Sequence, residues 1–242
     1  MEIIKPTIVL YSHTDYFDVC NVFFGQSEKY LKDYKKIIVI NQSLEGIPKN
    51  YQTVLYDDNL PYRERLINSL EQIEDELILF LHEDMFLFGQ PKDDIISEFS
   101  NLVSRGDADM IKLIKAGQNL KKSDIHGNLV FSPSDNMFSI QPTITKRNTL
   151  INLLKRTDAN SIYEIEYRVS KVCLDMGLKC FMSESEEDVL RGLFHCDSII
   201  FPYVATAIVK GKWNYLEYKK ELTEILKHYG INEKERGCFT SH

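Results

Sequence analysis

Nowhere in the 242 residues does an apolar run approach the ~20 positions that a membrane-spanning helix needs. The opening segment MEIIKPTIVLYSHTDY is too short and too interrupted to supply the apolar core of a signal peptide. A cytoplasmic protein is the expectation, with peripheral membrane association left open. Cysteine is sparse. Cys20, Cys173, Cys180, Cys196 and Cys238 are odd in number and contain no CxxC pair, so reduced thiols are expected rather than a disulfide framework or a zinc ribbon. Glycine-rich phosphate loops are missing too. The absence of GxGxxG argues against a dinucleotide-binding enzyme, and the absence of GxSxG against a hydrolase built on a nucleophile elbow. The loop after the first apolar run, Tyr11 to Tyr16, has no glycine, so it lacks the triphosphate cradle of a sugar nucleotidyltransferase. Positive charge is in deficit: 29 Lys and Arg against 36 Asp and Glu give a formal charge of −7, which excludes nucleic acid as the expected partner.

What the chain does have is a large supply of core-forming residues. Hydrophobic content of 43% beside 27% charged residues is that of a globular domain, and the length suffices for one sizeable core. The first half alternates short apolar runs with helical patterns. Thr7–His13 reads as a buried strand, 18–34 as a helix, and the run ending at Asn41 as a second strand. A turn-rich stretch through Gly46, Pro48 and Asn50 leads to a third strand from Tyr51 to Asp58. Pro61 opens a charged helix in which Leu66, Ile67 and Leu70 share a face. The most apolar segment, Glu76 to Phe88, follows. Such runs between helices predict a Rossmann-like α/β fold with a mixed, mainly parallel sheet flanked by helices.

The second half is less regular. Expected there are a helix over 91–105, a strand over 110–114 and a polar excursion over 119–135 turning at His126-Gly127-Asn128. A strand ending near Pro142, a helix across 150–156 and a helix over 163–176 stopped by Gly177 complete the reading. There is no internal repeat and no clear linker, so a single domain is expected.

The sharpest local signal is Leu79-Phe80-Leu81-His82-Glu83-Asp84-Met85, a buried strand running directly into acids. In open α/β sheets ligands bind beyond the carboxyl ends of strands. Carboxylates there suit Mg²⁺ or Mn²⁺, whose coordination is completed by phosphate oxygens of a substrate. The alternative is a pair of solvated loop acids.

This arrangement resembles the short acidic motif, usually DxD, of GT-A glycosyltransferases. His82 stands where the first acid of that motif belongs, so Asp84 is the favoured metal ligand with Glu83 beside it. Further segments similar to bacterial and viral GT-A-like proteins are Phe138-Ser139-Ile140-Gln141-Pro142, Tyr163-Glu164-Ile165-Glu166 and Val209-Lys210-Gly211-Lys212-Trp213-Asn214. The resemblance implies that residues 1–115 form a nucleotide-sugar-binding half, and 116–242 an acceptor half with a C-terminal extension.

It also implies a glycosyltransferase that moves a sugar from a UDP- or GDP-sugar to a glycan, lipid-linked or protein acceptor. In inverting members an acid at the start of an acceptor-side helix is the general base, which gives Glu164 and Glu166. A helix turns ~100° per residue, so only one of the two faces the site, and Glu166 is favoured. The competing role for both is completion of a helix N-terminus. His195 is implied as a third metal ligand, against the plainer role of a half-buried, hydrogen-bonded histidine. Lys210 and Lys212 would reach the diphosphate, or form an ordinary basic turn. Trp213 would stack on a sugar, or pack. By the same resemblance Ser12, His13 and Thr14 lie by the base or ribose, Asp57 or Asp58 holds the base edge, and Arg63 faces the phosphates. Without turnover, the same chain would be a GT-A-like nucleotide-sugar or glycan binding protein.

Overall fold

Runs of β-branched and aliphatic residues, each too short for a helix, dictate the centre of the molecule. A computed structural model describes residues 4–192 and 195–241, except for the side chain of Tyr163. Leu193 and Phe194, which precede His195 in the sequence, therefore lie outside the described residues, as does the Tyr163 side chain of the Tyr163–Glu166 motif.

Strand β1 (Thr7–Tyr11) is buried at all five positions and is followed by one 3-10 turn (Thr14–Tyr16) and helix α1 (Phe17–Tyr30). Next come β2 (Lys36–Ile40), β3 (Tyr51–Leu55), α2 (Tyr62–Glu71), β4 (Leu77–His82) and α3 (Asp93–Arg105). Glycine at position 106, in the left-handed region at φ 79°, closes α3. The chain continues through β5 (Met110–Lys112), β6 (Lys115–Ala116), β7 (Leu129–Phe131), β8 (Thr143–Lys146), α4 (Arg147–Arg156) and α5 (Ile162–Asp175). It ends with β9 (Cys180–Ser183), β10 (Val189–Arg191), β11 (His195–Asp197), β12 (Ile208–Val209), β13 (Lys212–Asn214), α6 (Tyr215–His228), α7 (Glu233–Arg236) and β14 (Cys238–Phe239).

Eight of these strands form one sheet in the order β3-β2-β1-β4-β8-β5-β9-β7. The pairs β3/β2, β2/β1, β1/β4 and β5/β9 are parallel, whereas β8 runs antiparallel to both β4 and β5 and β7 antiparallel to β9. The mixed, mainly parallel α/β architecture expected from the sequence is thus present. Ile78, Leu79, Phe80 and Leu81 of β4 are at most 2% exposed. Each such side chain contributes ~1.5–3 kcal/mol by leaving water, which makes β4 a rigid base for whatever follows it. One hydrophobic cluster runs from Ile8 to Leu226 and includes both halves of the chain.

Two expectations for the second half are corrected. The strand placed before Pro142 instead begins after it, at Thr143, because proline has no N–H to give a ladder. Its carbonyl is still used, accepting from Leu113 N at 2.8 Å. The polar excursion over 119–135 contains β7, whose Leu129 and Val130 are fully buried. Among the described residues no helix is long and apolar enough to cross a membrane.

Candidate active site

The sheet order reverses between β1 and β4: β2 and β3 lie to one side of β1, and β4 crosses to the other. Crevices beyond the carboxyl ends of strands at such a switch point are where open α/β sheets bind ligands. Here Tyr11 and His82, the last residues of the two strands, are direct partners across the ladder. Beyond them opens a cavity of 580 Å³, lined on its floor by Ser12, His82, Glu83 and Asp84.

The two acids are its electrostatic centre. Glu83 is 8% exposed and Asp84 is half-buried, and neither forms an ion pair among the described residues. Burial pushes the Glu83 carboxyl up to about 8, helped by the adjacent Asp84 charge and opposed by a hydrogen bond from Ser12 and by Arg236. Burial likewise pushes Asp84 up to about 7. Asp84 Oδ2 receives only a long bond, 3.4 Å, from Ile208 N. Two adjacent carboxyls, both raised by burial, line the cavity. They supply hard oxygen donors, and Mg²⁺ or Mn²⁺ commonly uses one or two carboxylates and takes the rest of its shell from water and phosphate. The pair fits such an ion. Among the described residues no group of three His, Cys, Asp or Glu side chains is arranged to hold a metal.

His195 does not complete the set. It lies in β11, which pairs with β10 and β6 in a separate small sheet, and its Nε2 shares a 2.8 Å hydrogen bond with Tyr218 Oη. It lines a smaller chamber next door, without Glu83 or Asp84. Burial lowers its pKa. His82, where a DxD motif would have an acid, is neutral: burial lowers it to about 4. Its Nε2 is 2.9 Å from Tyr62 Oη and its ring stacks on Tyr11 with centroids 5.3 Å apart.

The two acids of α5 separate as helix geometry requires. Ser161 and Glu164 make a reciprocal capping box, and Glu164 Oε2 accepts from Asn160 N at 3.3 Å and Ser161 N at 3.4 Å. Those backbone N–H groups hold the Glu164 carboxyl below its usual range. Glu164 is exposed and does not line the cavity; Glu166 does. Its Oε1 accepts from Ile140 N at 2.7 Å, which fixes the side chain at the cavity wall. No hydrogen bond engages its Oε2 among the described residues.

Toward β2 and β3 the cavity wall is aromatic. Tyr11 and Tyr56 stack with centroids 5.3 Å apart and an interplanar angle of 4°. Tyr56 Oη donates to Ser12 O at 2.9 Å. Ser12 and His13 line this end, whereas Thr14 is tied to Asn41 through a 2.9 Å bond from its N–H and does not. His13 Nδ1 accepts from Asp15 N at 3.0 Å, so its Nε2 is free to donate to Asp58 Oδ2, also at 3.0 Å. Asp57 turns away and accepts from Asn59 N at 2.9 Å. Asp58 joins His13 to Arg65, whose Nη1 is 2.6 Å from Asp58 Oδ1.

Arg65 therefore takes the place expected for Arg63. Two residues turn a helix by ~200°, so Arg63 faces the opposite way and donates to Thr157 O at the start of the chain into α5. The guanidinium of Arg65 lies over the Tyr56 ring at 5.3 Å.

The C-terminal segment closes the remaining side. Lys210, at φ 51°, and Gly211, at φ 76°, form the tight turn between β12 and β13 and line the cavity. Lys212 lies past the turn and does not. Trp213 is fully buried, so it packs and cannot stack on a ligand. Arg236 pairs with Asp18 through its Nη2 and covers Tyr16 at 4.9 Å. Tyr11, Tyr56, Tyr62, Gln141, Thr206 and Ile208 were not singled out as contacts from the sequence. Tyr11, which precedes the loop already suspected, and Gln141, in the Phe138–Pro142 segment, carried a signal.

No protein-family model matches the sequence, and no curated protein does. Among solved structures the chain is similar to a nucleotidyl transferase from Methanothermobacter thermautotroptrophicus, with a TM-score of 0.46 and 13% identity over 75% of this chain and 87% of that one. It is also similar to the bifunctional IspDF from Campylobacter jejuni, with a TM-score of 0.42 and 14% identity over 76% of this chain. It spans 50% of the length of the Campylobacter protein.

Proposed function

We propose that the chain is a glycosyltransferase that moves a sugar from a nucleotide-diphosphate donor, a UDP- or GDP-sugar, to a hydroxyl of a glycan, lipid-linked or protein acceptor. The observation that carries this reading is the buried Glu83–Asp84 pair at the β1/β4 switch point, in one cavity with Glu166. Its volume of 580 Å³ is within the ~300–1,000 Å³ range of small-molecule sites.

The nucleotide would lie along the tyrosine wall. Tyr11 and Tyr56 offer apolar faces, and the His13–Asp58–Arg65 chain offers fixed polar groups at its edge. Glu83 and Asp84 would hold Mg²⁺ or Mn²⁺, which supplies positive charge against the leaving diphosphate. Lys210, in the β12–β13 turn that lines the cavity, adds a point charge. Across the cavity Glu166 takes the proton from the attacking hydroxyl through Oε2, while the Ile140 N–H bond at Oε1 holds it in place. A base on the acceptor side serves direct displacement, so the transfer inverts the anomeric centre. His82, neutral and bonded to Tyr62, orients the strand end and leaves the metal role to the two acids.

A second reading is binding of a nucleotide-sugar without turnover, favoured by the lack of a three-ligand group among the described residues. Release of nucleoside diphosphate from UDP- and GDP-sugars in Mn²⁺ separates the two. The enzyme reading expects release by the wild type and its loss in Asp84→Ala. Equal rates in both proteins, or pyrophosphate exchange with a nucleoside triphosphate instead, would overturn it.

A further inference from the structure

Behind Gln141 and Thr206, which line both spaces, the cavity adjoins a second chamber of 170 Å³. Gln141 is held between the two spaces by three hydrogen bonds. Gln141 Nε2 donates to Ala205 O at 3.3 Å, Tyr203 Oη donates to Gln141 Oε1 at 2.7 Å, and Gln141 N donates to Ser139 O at 2.9 Å. Ile140, between Ser139 and Gln141, is the residue that anchors Glu166. The chamber thus lies next to the segment that holds the carboxylate assigned to the attacking hydroxyl.

Its distinguishing member is Lys112, in the middle of the sheet and 1% exposed. The amine donates to Asn136 O and, at 2.9 Å, to Asn136 Oδ1. An ammonium has three N–H donors, so one remains. Among the described residues no carboxylate is within ion-pair distance of it. Asp135 and Glu166 act on it only from farther away, and burial lowers its pKa to about 7. Burying an ammonium costs several kcal/mol unless an anion accompanies it, so an aliphatic residue would serve the fold better. Lys112 lines the chamber.

We propose that this chamber is an acceptor subsite for a sugar bearing a carboxylate, with Lys112 as the group that recognises the acid. The inference rests on the glycosyl-transfer reading of the main cavity. The chamber is below the ~300 Å³ of a nucleotide-sized site, yet holds several times the ~30 Å³ share of one water, which suits a single sugar ring. Ser139, Gln141 and His195 offer partners for hydroxyls, and Ile114 and Met182 offer apolar contact for ring faces. One free donor matches a carboxylate oxygen. A phosphate dianion would call for a cluster of donors that the chamber does not have.

The test is made on the wild-type protein labelled with ¹³C at the lysine ε-carbon, without any donor present, so that it stands apart from the diphosphate-release assay. The Lys112 resonance is assigned by its loss in Lys112→Met, and its titration is followed with glucuronate, glucose and acetate. Glucuronate is expected to raise the midpoint by about one pH unit or more, as a neighbouring opposite charge does. Glucose is expected to leave it unmoved, and acetate to act only at concentrations about tenfold higher. No shift with glucuronate, an equal shift with glucose, or equal potency of acetate would each overturn the proposal. Failure of diphosphate release with a normal glucuronate response would instead remove the glycosyl-transfer reading and leave the sugar-acid site standing.

Discussion

Replacing Asp84 by Asn should stabilise the metal-free protein, and more so as pH rises. The carboxyl is raised from an ordinary value near ~4 to about 7 by burial. Between those values the native chain holds a proton that the unfolded chain has released. Stability is therefore full below the unfolded value and is lost as pH rises through about 7. Each unit of pKa difference is worth ~1.4 kcal/mol, so the whole loss is at most ~4 kcal/mol. Between pH 5 and pH 8 the wild type loses the larger part of this, about 2 kcal/mol after allowance for the partial exposure of Asp84 and its coupling to Glu83, and the neutral amide does not. For a chain of 242 residues that corresponds to a melting temperature gap growing by roughly 4–8 °C. Differential scanning calorimetry of both proteins at pH 5 and pH 8, in chelator, measures it. Adding Mn²⁺ at pH 8 should raise the wild-type melting temperature and leave Asp84→Asn unmoved. A gap that stays constant with pH, or a variant less stable at both, would refute the view of Asp84 as a carboxylate held against its preference for a cation.

Three other outcomes follow from the geometry. Glu166→Gln keeps the oxygen that accepts from Ile140 N, so donor binding should persist while transfer falls ~10²–10⁴-fold; Glu164→Gln, at the helix cap, should leave transfer intact, and paired steady-state assays decide. Arg65→Ala should weaken nucleotide binding about tenfold because it removes both the ion pair that holds Asp58 and the guanidinium over Tyr56, whereas Arg63→Ala should leave binding unchanged by calorimetric titration. Trp213→Ala should cost ~3–5 kcal/mol in urea unfolding, and Trp213→Phe much less, because among the described residues the buried Nε1–H has no hydrogen-bond partner to lose.

The parts of this account that the sequence displayed are those governed by short-range physics. A buried strand leading through His82 into Glu83-Asp84 announces itself, since an apolar run that ends in polar residues has one comfortable placement in a parallel sheet. The separation of Glu164 from Glu166 likewise follows from helix pitch, given the helix expected from about Tyr163; the Ser161 cap is seen only in the structure. What could not be seen depends on packing between distant segments. Arg63 and Arg65 differ only in helical phase, and that phase is set by α5, through Thr157. His195 belongs to a small sheet whose third strand, β6, comes from some eighty residues earlier in the chain, and nothing near His195 signals that partner. Lys112, in the run Met110-Ile111-Lys112-Leu113, reads as the exposed position of an alternating strand. Its burial follows from β8 and β9 pairing on either side of it.

Calorimetric titration of UDP and GDP into the wild-type protein and Asp84→Asn, each with Mn²⁺ and with chelator, addresses the role of the acid pair most directly. The account predicts that one nucleotide binds the wild type only when Mn²⁺ is present, and that the variant loses this dependence together with the affinity. Binding of equal strength in all four conditions would contradict it.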